Sequence, residues 1–165
     1  MIRLGVCLFL CVVLAGSAWC APPAELVGKA YAWDSDDLVI DGKRVRLHGI
    51  DAFERYQMCR SGGRSWLRGM EAWRALQDLV AGQHVRCVLA QVKESRALPV
   101  MRCYAGELEL NAEMVRLGLA LECFRFSRGR YEAIEEEARA ARRGAWAGTF
   151  ETPAASKGQN YCAPR

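Results

Sequence analysis

From Glu25 the chain turns to a β pattern, Leu26-Val27-Gly28-Lys29-Ala30-Tyr31-Ala32-Trp33, and Leu38-Val39-Ile40 reads as a second strand. Asp41-Gly42 is a two-residue hairpin signal. The return strand, Lys43 to Ile50, alternates: Val45, Leu47 and Gly49 point one way, Arg44, Arg46 and His48 the other. A polar loop around Gly62-Gly63 follows. A helical period then runs from Gly69 to Val80, with Ala72, Trp73, Leu76, Leu79 and Val80 on one face and Gly82 as the stop. His84–Val92 and Val100–Tyr104 read as a fourth and a fifth strand. Asn111 fits the N-cap of a short helix ending near Gly118. Tyr131 to Arg143 predicts a longer helix with an apolar stripe of Tyr131, Ile134, Ala138 and Ala141, an i,i+4 pair Glu135–Arg139, and Gly144 at its end. Five strands with a helix after the third predict an α+β, mainly β domain. Its expected form is a closed or nearly closed five-stranded barrel of the OB type with about three helices.

The first 20 residues stand apart from this pattern. Arg3 is the only charge before Glu25, an apolar run covers Leu4 to Ala15, and small residues Gly16, Ser17 and Ala18 follow. That is the layout of a cleaved export signal, too short to span a bilayer comfortably. Cleavage is expected between Ala18 and Ala21, giving a leader (1–20), a domain (21–153) and a polar C-terminal tail (154–165). Bulky Trp19 before Cys20 argues against lipid anchoring there. The expected product is a periplasmic or secreted monomer with no stable membrane insertion.

Losing Arg3 lowers the formal charge of +4 by one, a balance too mild to demand or exclude a nucleic-acid partner. Export changes how the eight cysteines read, because disulfides persist in oxidising compartments. A hairpin with its tip near Ser95 sets Cys87 opposite Cys103, so these two are predicted to be bridged. Cys59 and Cys162 form a second candidate pair, with Cys20 and Cys123 as competing partners. No CxxC or Cys/His metal spacing occurs, and His48 and His84 are the only histidines, so no zinc site is expected.

The candidate chemistry is acidic. Asp34-Ser35-Asp36-Asp37 lies between the first two strands, and Asp51-Ala52-Phe53-Glu54 lies just past the third. If those strands pair, both groups reach the same end of the barrel. Asp36 and Asp51 can then ligate a hard cation, the Ala52 carbonyl can add a neutral oxygen, and Glu54 can hold a water. Acidic residues also favour turns for their own sake, and spacing alone leaves both readings open.

The surrounding residues carry a resemblance. Trp33-Asp34-Ser35-Asp36-Asp37-Leu38, Val45-Arg46-Leu47-His48-Gly49-Ile50-Asp51-Ala52-Phe53-Glu54 and Asn111-Ala112-Glu113-Met114-Val115-Arg116-Leu117-Gly118-Leu119-Ala120, with Tyr131, Glu135, Ala138, Arg139, Gly144 and Trp146, are similar to the thermonuclease family of staphylococcal-nuclease-like OB-fold domains. The resemblance implies a calcium-dependent phosphodiesterase acting on DNA and RNA. It implies Asp36 and Asp51 as metal carboxylates, Ala52 as a carbonyl ligand and Asp34 as a supporting acid. Glu54 is implied as the group acting on the attacking water, and Arg46 as a phosphate-binding arginine. Phe124 and Phe126 match aromatics bordering the nucleotide pocket, or pack as alternate residues of a strand. Glu135 matches a buried acid bonded to backbone amides.

Two departures accompany the match. Leu98 stands where the family carries its second arginine, with Arg96 as a possible substitute contact, and Phe53 stands where proline is usual. Cleavage is therefore expected to be attenuated. The alternative is an inactive nuclease fold that binds nucleic acid, another polyanion or a protein in the cell envelope.

Overall fold

The computed structural model describes residues 24–61, 63–91, 98–158 and 162. The leader (1–20), Val92, Glu94 and Arg96 lie outside the described residues.

Asp41 and Gly42 both take positive φ (44° and 80°), the turn that matches the right-handed twist of two flanking strands. That turn fixes the register of β2 (Asp37–Ile40) against β3 (Lys43–Leu47), so that Asp37 faces Arg46 and Leu38 faces Val45. β1 (Glu25–Ala32) pairs antiparallel with β2 on one side and, on the other, with a later strand (His84–Gln91). The latter pairs with a further strand (Val100–Ala105), which closes on β3 in parallel through Arg46↔Val100 and Leu47↔Met101. These five strands form the closed barrel that the alternation predicts.

Between β3 and the fourth barrel strand the chain leaves the barrel. His48-Gly49 turns it, so β4 (Ile50–Ala52) is a separate strand rather than the end of the third. The expected polar loop around Gly62-Gly63 is instead a hairpin, β5 (Met58–Ser61) with β6 (Arg64–Leu67), in which Cys59 faces Trp66. Helix α1 (Arg68–Val80) follows and buries Ala72, Leu76 and Val80, and the barrel strands His84–Gln91 and Val100–Ala105 are β7 and β8. After β9 (Leu108–Glu109) comes α2 (Leu110–Arg116), then β10 (Ala120–Glu122), which pairs with β4. The barrel interior of Leu38, Ile40, Val45, Leu47, Val85 and Met101 packs against α1 and against Leu110 and Met114 of α2. Each such side chain contributes roughly 1.5–3 kcal/mol by leaving water.

Asn111 does not cap α2. It lies inside the helix, fully buried, and its side chain accepts from the Cys103 amide (3.0 Å) and donates to the carbonyls of His48 (2.9 Å) and Met101 (3.3 Å). A buried amide that satisfies three backbone groups is worth more here than a cap, because it ties the turn leaving β3 to β8.

Phe124 and Phe126 sit on a short helix, α3 (Phe124–Ser127), not on a strand. The last long helix is shorter than its apolar stripe suggests, α4 (Glu132–Ala140), with Tyr131 as its N-cap residue. A 3-10 turn (Gly144–Ala147), β11 (Thr149–Phe150) and α5 (Pro153–Ser156) complete the described chain. β11 pairs with β5, and Thr152 caps α5 through its hydroxyl, which accepts from Ala155 N–H (3.3 Å). The segment read as a polar tail thus folds onto the domain. Its Cys162 is bridged to Cys123, and Cys59, the other proposed partner, is a fully buried thiol in the β5–β11 layer. Cys59 packs with Phe53, Leu121 and Ala145, a cluster separate from that of Cys123 and Cys162.

Cys87 and Cys103 are directly opposed across β7 and β8, Cα–Cα 4.0 Å, and bridged. The bridge closes a 16-residue separation, which restricts the unfolded chain by about 3 kcal/mol. Replacing both cysteines with alanine is expected to lower the unfolding free energy by an amount of that order, measured by urea denaturation without reductant. An unchanged midpoint would contradict the assignment.

Candidate active site

The register of β2 on β3 builds the first half of the site. Asp37, fully buried, sits opposite Arg46 and beside Arg44, and receives both guanidinium groups. Arg46 donates through Nε to Oδ1 (2.8 Å) and through Nη2 to Oδ2 (3.1 Å). Arg44 donates through Nε to Oδ2 at 3.0 Å. This two-point grip fixes the plane of the Arg46 guanidinium, whose side chain remains half exposed. Its Nη2 lies 3.8 Å from Asp36 Oδ1. Asp36 has little other compensation, and burial pushes its pKa up to about 7 against the pull of Arg46.

Beyond the His48-Gly49 turn, β4 buries Asp51 against β10. Glu54 follows three residues after Asp51, held by its backbone. Its amide donates to the Gln57 side chain (3.1 Å), and its carbonyl accepts from Gln57 N–H (2.6 Å). The Gln57 carbonyl in turn accepts the first amides of α1, from Arg68 (2.9 Å) and Gly69 (3.3 Å). Gly69 permits this approach, because a Cβ there would collide with the Glu54 carbonyl. Glycine at the start of α1 is thus what lets the helix and the Glu54 turn share one anchor.

Asp51 and Glu54 meet at one cation, the ammonium of Lys157, whose Nζ is 3.0 Å from Asp51 Oδ1 and 2.7 Å from Glu54 Oε1. Burial raises the Asp51 pKa even with Lys157 beside it. Burial works against the charged ammonium, but the hydrogen bonds to Glu54 and Asp51 outweigh it and keep Lys157 protonated. Lys157 also acts electrostatically on Asp36, which links the two halves of the site.

The other expected residues fall around this centre. Ala52 pairs in register with Ala120, its side chain buried. Asp34 bends back on its own turn, accepting from Ser35 N–H (2.9 Å), and lines an open cleft of ≈ 1110 Å³ together with Trp33, Glu54, Arg55, Tyr56 and Phe150. Phe126 packs on the cluster of Cys123, Ala154 and Cys162 beneath the C-terminal segment. Leu98 precedes Pro99, whose carbonyl accepts the Arg46 amide (2.9 Å). Glu135 is half-buried and accepts the Glu122 amide (2.9 Å).

Two residues escape the sequence patterns, Asp37 and Lys157. For Asp37 a signal existed, since a two-residue turn at Asp41-Gly42 sets it opposite Arg46. Lys157 carries no local signal, because a tertiary fold of the last segment delivers it.

A family model described as "Staphylococcal nuclease homologue" matches residues 44–148. The chain belongs to this family. The match includes Arg46, Asp51 and Glu54, and Asp36 and Lys157 lie outside it. A curated relative of the nuclease-homologue chain is the succinoglycan biosynthesis protein ExoI of Rhizobium meliloti (strain 1021), 27% identical over 124 residues, or 73% of this chain. The match spans 64% of that protein's own length.

The oxygen-only donor set of Asp36, Asp51 and the Ala52 carbonyl, with Glu54 beside it to hold a water, is of the type a hard cation takes. The burial-raised pKa of Asp36 also marks negative charge that the protein does not fully compensate. Yet among the described residues no three metal-ligating side chains converge on one point. Between Asp51 and Glu54 stands Lys157. The donors therefore fit a divalent cation in kind, with Lys157 holding Asp51 together with the neighbouring Glu54.

Asp36 gives a pH signature. Its folded pKa, about 7, exceeds the ordinary 3.8, so its protonated form stabilises the fold at low pH and that contribution is lost as pH rises through 7. Asp36→Asn, neutral at every pH, is expected to flatten the fall in Tm between pH 4 and 8 in chelator and to raise Tm by several degrees at pH 8. A Tm at pH 8 lower than that of the unaltered protein would contradict the burial account.

Proposed function

We propose that the protein is an exported, calcium-dependent phosphodiesterase that cleaves DNA or RNA with attenuated activity. The observation that supports this most is the grouping of Arg46 with Asp36 and of Asp51 with Glu54 at one end of a nuclease-family barrel. The bridges Cys87–Cys103 and Cys123–Cys162 are compatible with an oxidising compartment, and no described helix is long and apolar enough to cross a membrane.

In this reading Asp36, Asp51 and the Ala52 carbonyl would hold the cation, which would supply a Lewis acid to the phosphoryl group and offset its developing charge. Arg46, its plane fixed by Asp37, donates to the phosphate oxygens. Glu54 accepts the proton of the attacking water. The cleft beside Glu54, with half-exposed Trp33 and largely exposed Tyr56, offers stacking surfaces to unpaired bases. With Leu98 in place of a second arginine, one transition-state donor is missing, a loss of about 10²–10³ in rate.

A second reading, binding without cleavage, is favoured by Lys157, which occupies Asp51 and Glu54. One assay divides the two. Purified oxidised protein is incubated with single-stranded DNA and with RNA, in calcium or chelator. Calcium-dependent cleavage is expected, reduced at least ~10²-fold in Glu54→Gln as for a lost general base and abolished in Asp36→Ala. Salt-sensitive binding with no cleavage at high protein concentration would establish the second reading instead.

A further inference from the structure

Residues 153–158 and Cys162 pack beside the acidic site. α5 lies against β4: Ala154 is buried with Cys123 and Cys162 in one cluster, and a backbone hydrogen bond from Ala154 reaches Asp51. One turn on, Lys157 places its ammonium between Asp51 and Glu54, with its side chain only 24% exposed. Cys162 is then bridged to Cys123, which directly follows β10, the strand that pairs with β4. The segment is thus held on both sides of Lys157, by α5 before it and by the disulfide after it.

We propose that Lys157 is a built-in competitor for the divalent cation, and that Cys123–Cys162 is the latch keeping it there. The proposal rests on the reading that Asp51 ligates a cation and Glu54 holds the water beside it. A compact ammonium offers three donors to carboxylate oxygens, and a hard cation asks for the same oxygens. Both satisfy the buried charge, but not together. A tether of a few residues supplies the ammonium at an effective concentration on the order of millimolar or higher. A cation must therefore displace Lys157, and its apparent affinity is lowered by that competition. Lys157 becomes the residue that sets cation affinity, although it lies outside the matched family region.

The test is calorimetric titration of calcium into the full oxidised protein and its variants. Lys157→Met keeps the aliphatic stem and removes the charge. Lys157→Arg keeps the charge. Cys162→Ser opens the latch away from the carboxylates. The competitor account expects Lys157→Met and Cys162→Ser to bind calcium at least ~10-fold more tightly than the unaltered protein, a change of about 1.4 kcal/mol. It expects Lys157→Arg to stay weak. Amide exchange at residues 154–158 is expected to speed up when calcium is added to the unaltered protein. Equal affinity in the unaltered protein and Lys157→Met, with binding lost in Asp51→Asn, would overturn the competitor and leave the cation reading standing. Tightening in Lys157→Met alone would overturn the latch. No calcium binding in any variant would overturn the cation reading, and the competitor with it.

Discussion

The constraint on which the site depends is the compensation of carboxylates taken out of water at one end of the barrel. Asp36, Asp37 and Asp51 are all buried there. A buried charge is costly unless it is paired and hydrogen-bonded. Asp37 is fully served by Arg44 and Arg46. Asp51 is served by Lys157 and the Ala154 amide. Burial raises the pKa of Asp36, and the arginine at 3.8 Å offsets that only in part. The ordering of Arg46, the docking of the C-terminal segment and the uncompensated charge on Asp36 are three answers to one problem of burial.

That view makes sense of an imbalance in the site. This end of the barrel gathers buried carboxylates and the half-exposed Arg46 guanidinium, and a further positive charge reaches Asp51 and Glu54 from Lys157, far along the chain. Membership of the nuclease-homologue family says which barrel this is, and the electrostatics say how this chain has balanced it. Fold membership alone does not fix activity, since a scaffold of this kind can lose its chemistry while keeping its core.

The barrel was legible because its signals are local. The alternation of Val45 with Leu47, the Asp41-Gly42 turn and the opposition of Cys87 and Cys103 each follow from strand period or turn geometry. The expectation failed where a tertiary contact overrode a local preference. Asn111 looks like a cap but is drawn inside to satisfy Cys103, His48 and Met101. Phe124 and Phe126 have strand spacing but wind into a helical turn after β10. For the candidate site, strand pairing was enough to expect both acidic groups at one end of the barrel, and Asp37 could have been read from the hairpin register. Lys157 was not readable, because its neighbours Asp51 and Glu54 lie about a hundred residues earlier, at a separation of 106 for Asp51.

If the buried carboxylates are short of positive charge, the shortfall shows in the titration of Asp36. Its side-chain carboxyl can be followed by ¹³C NMR as a function of pH, first in chelator and then with saturating calcium. The account predicts a titration near 7 in chelator that moves clearly downward when calcium is present. A titration in the ordinary carboxylate range in chelator, unmoved by calcium, would contradict it.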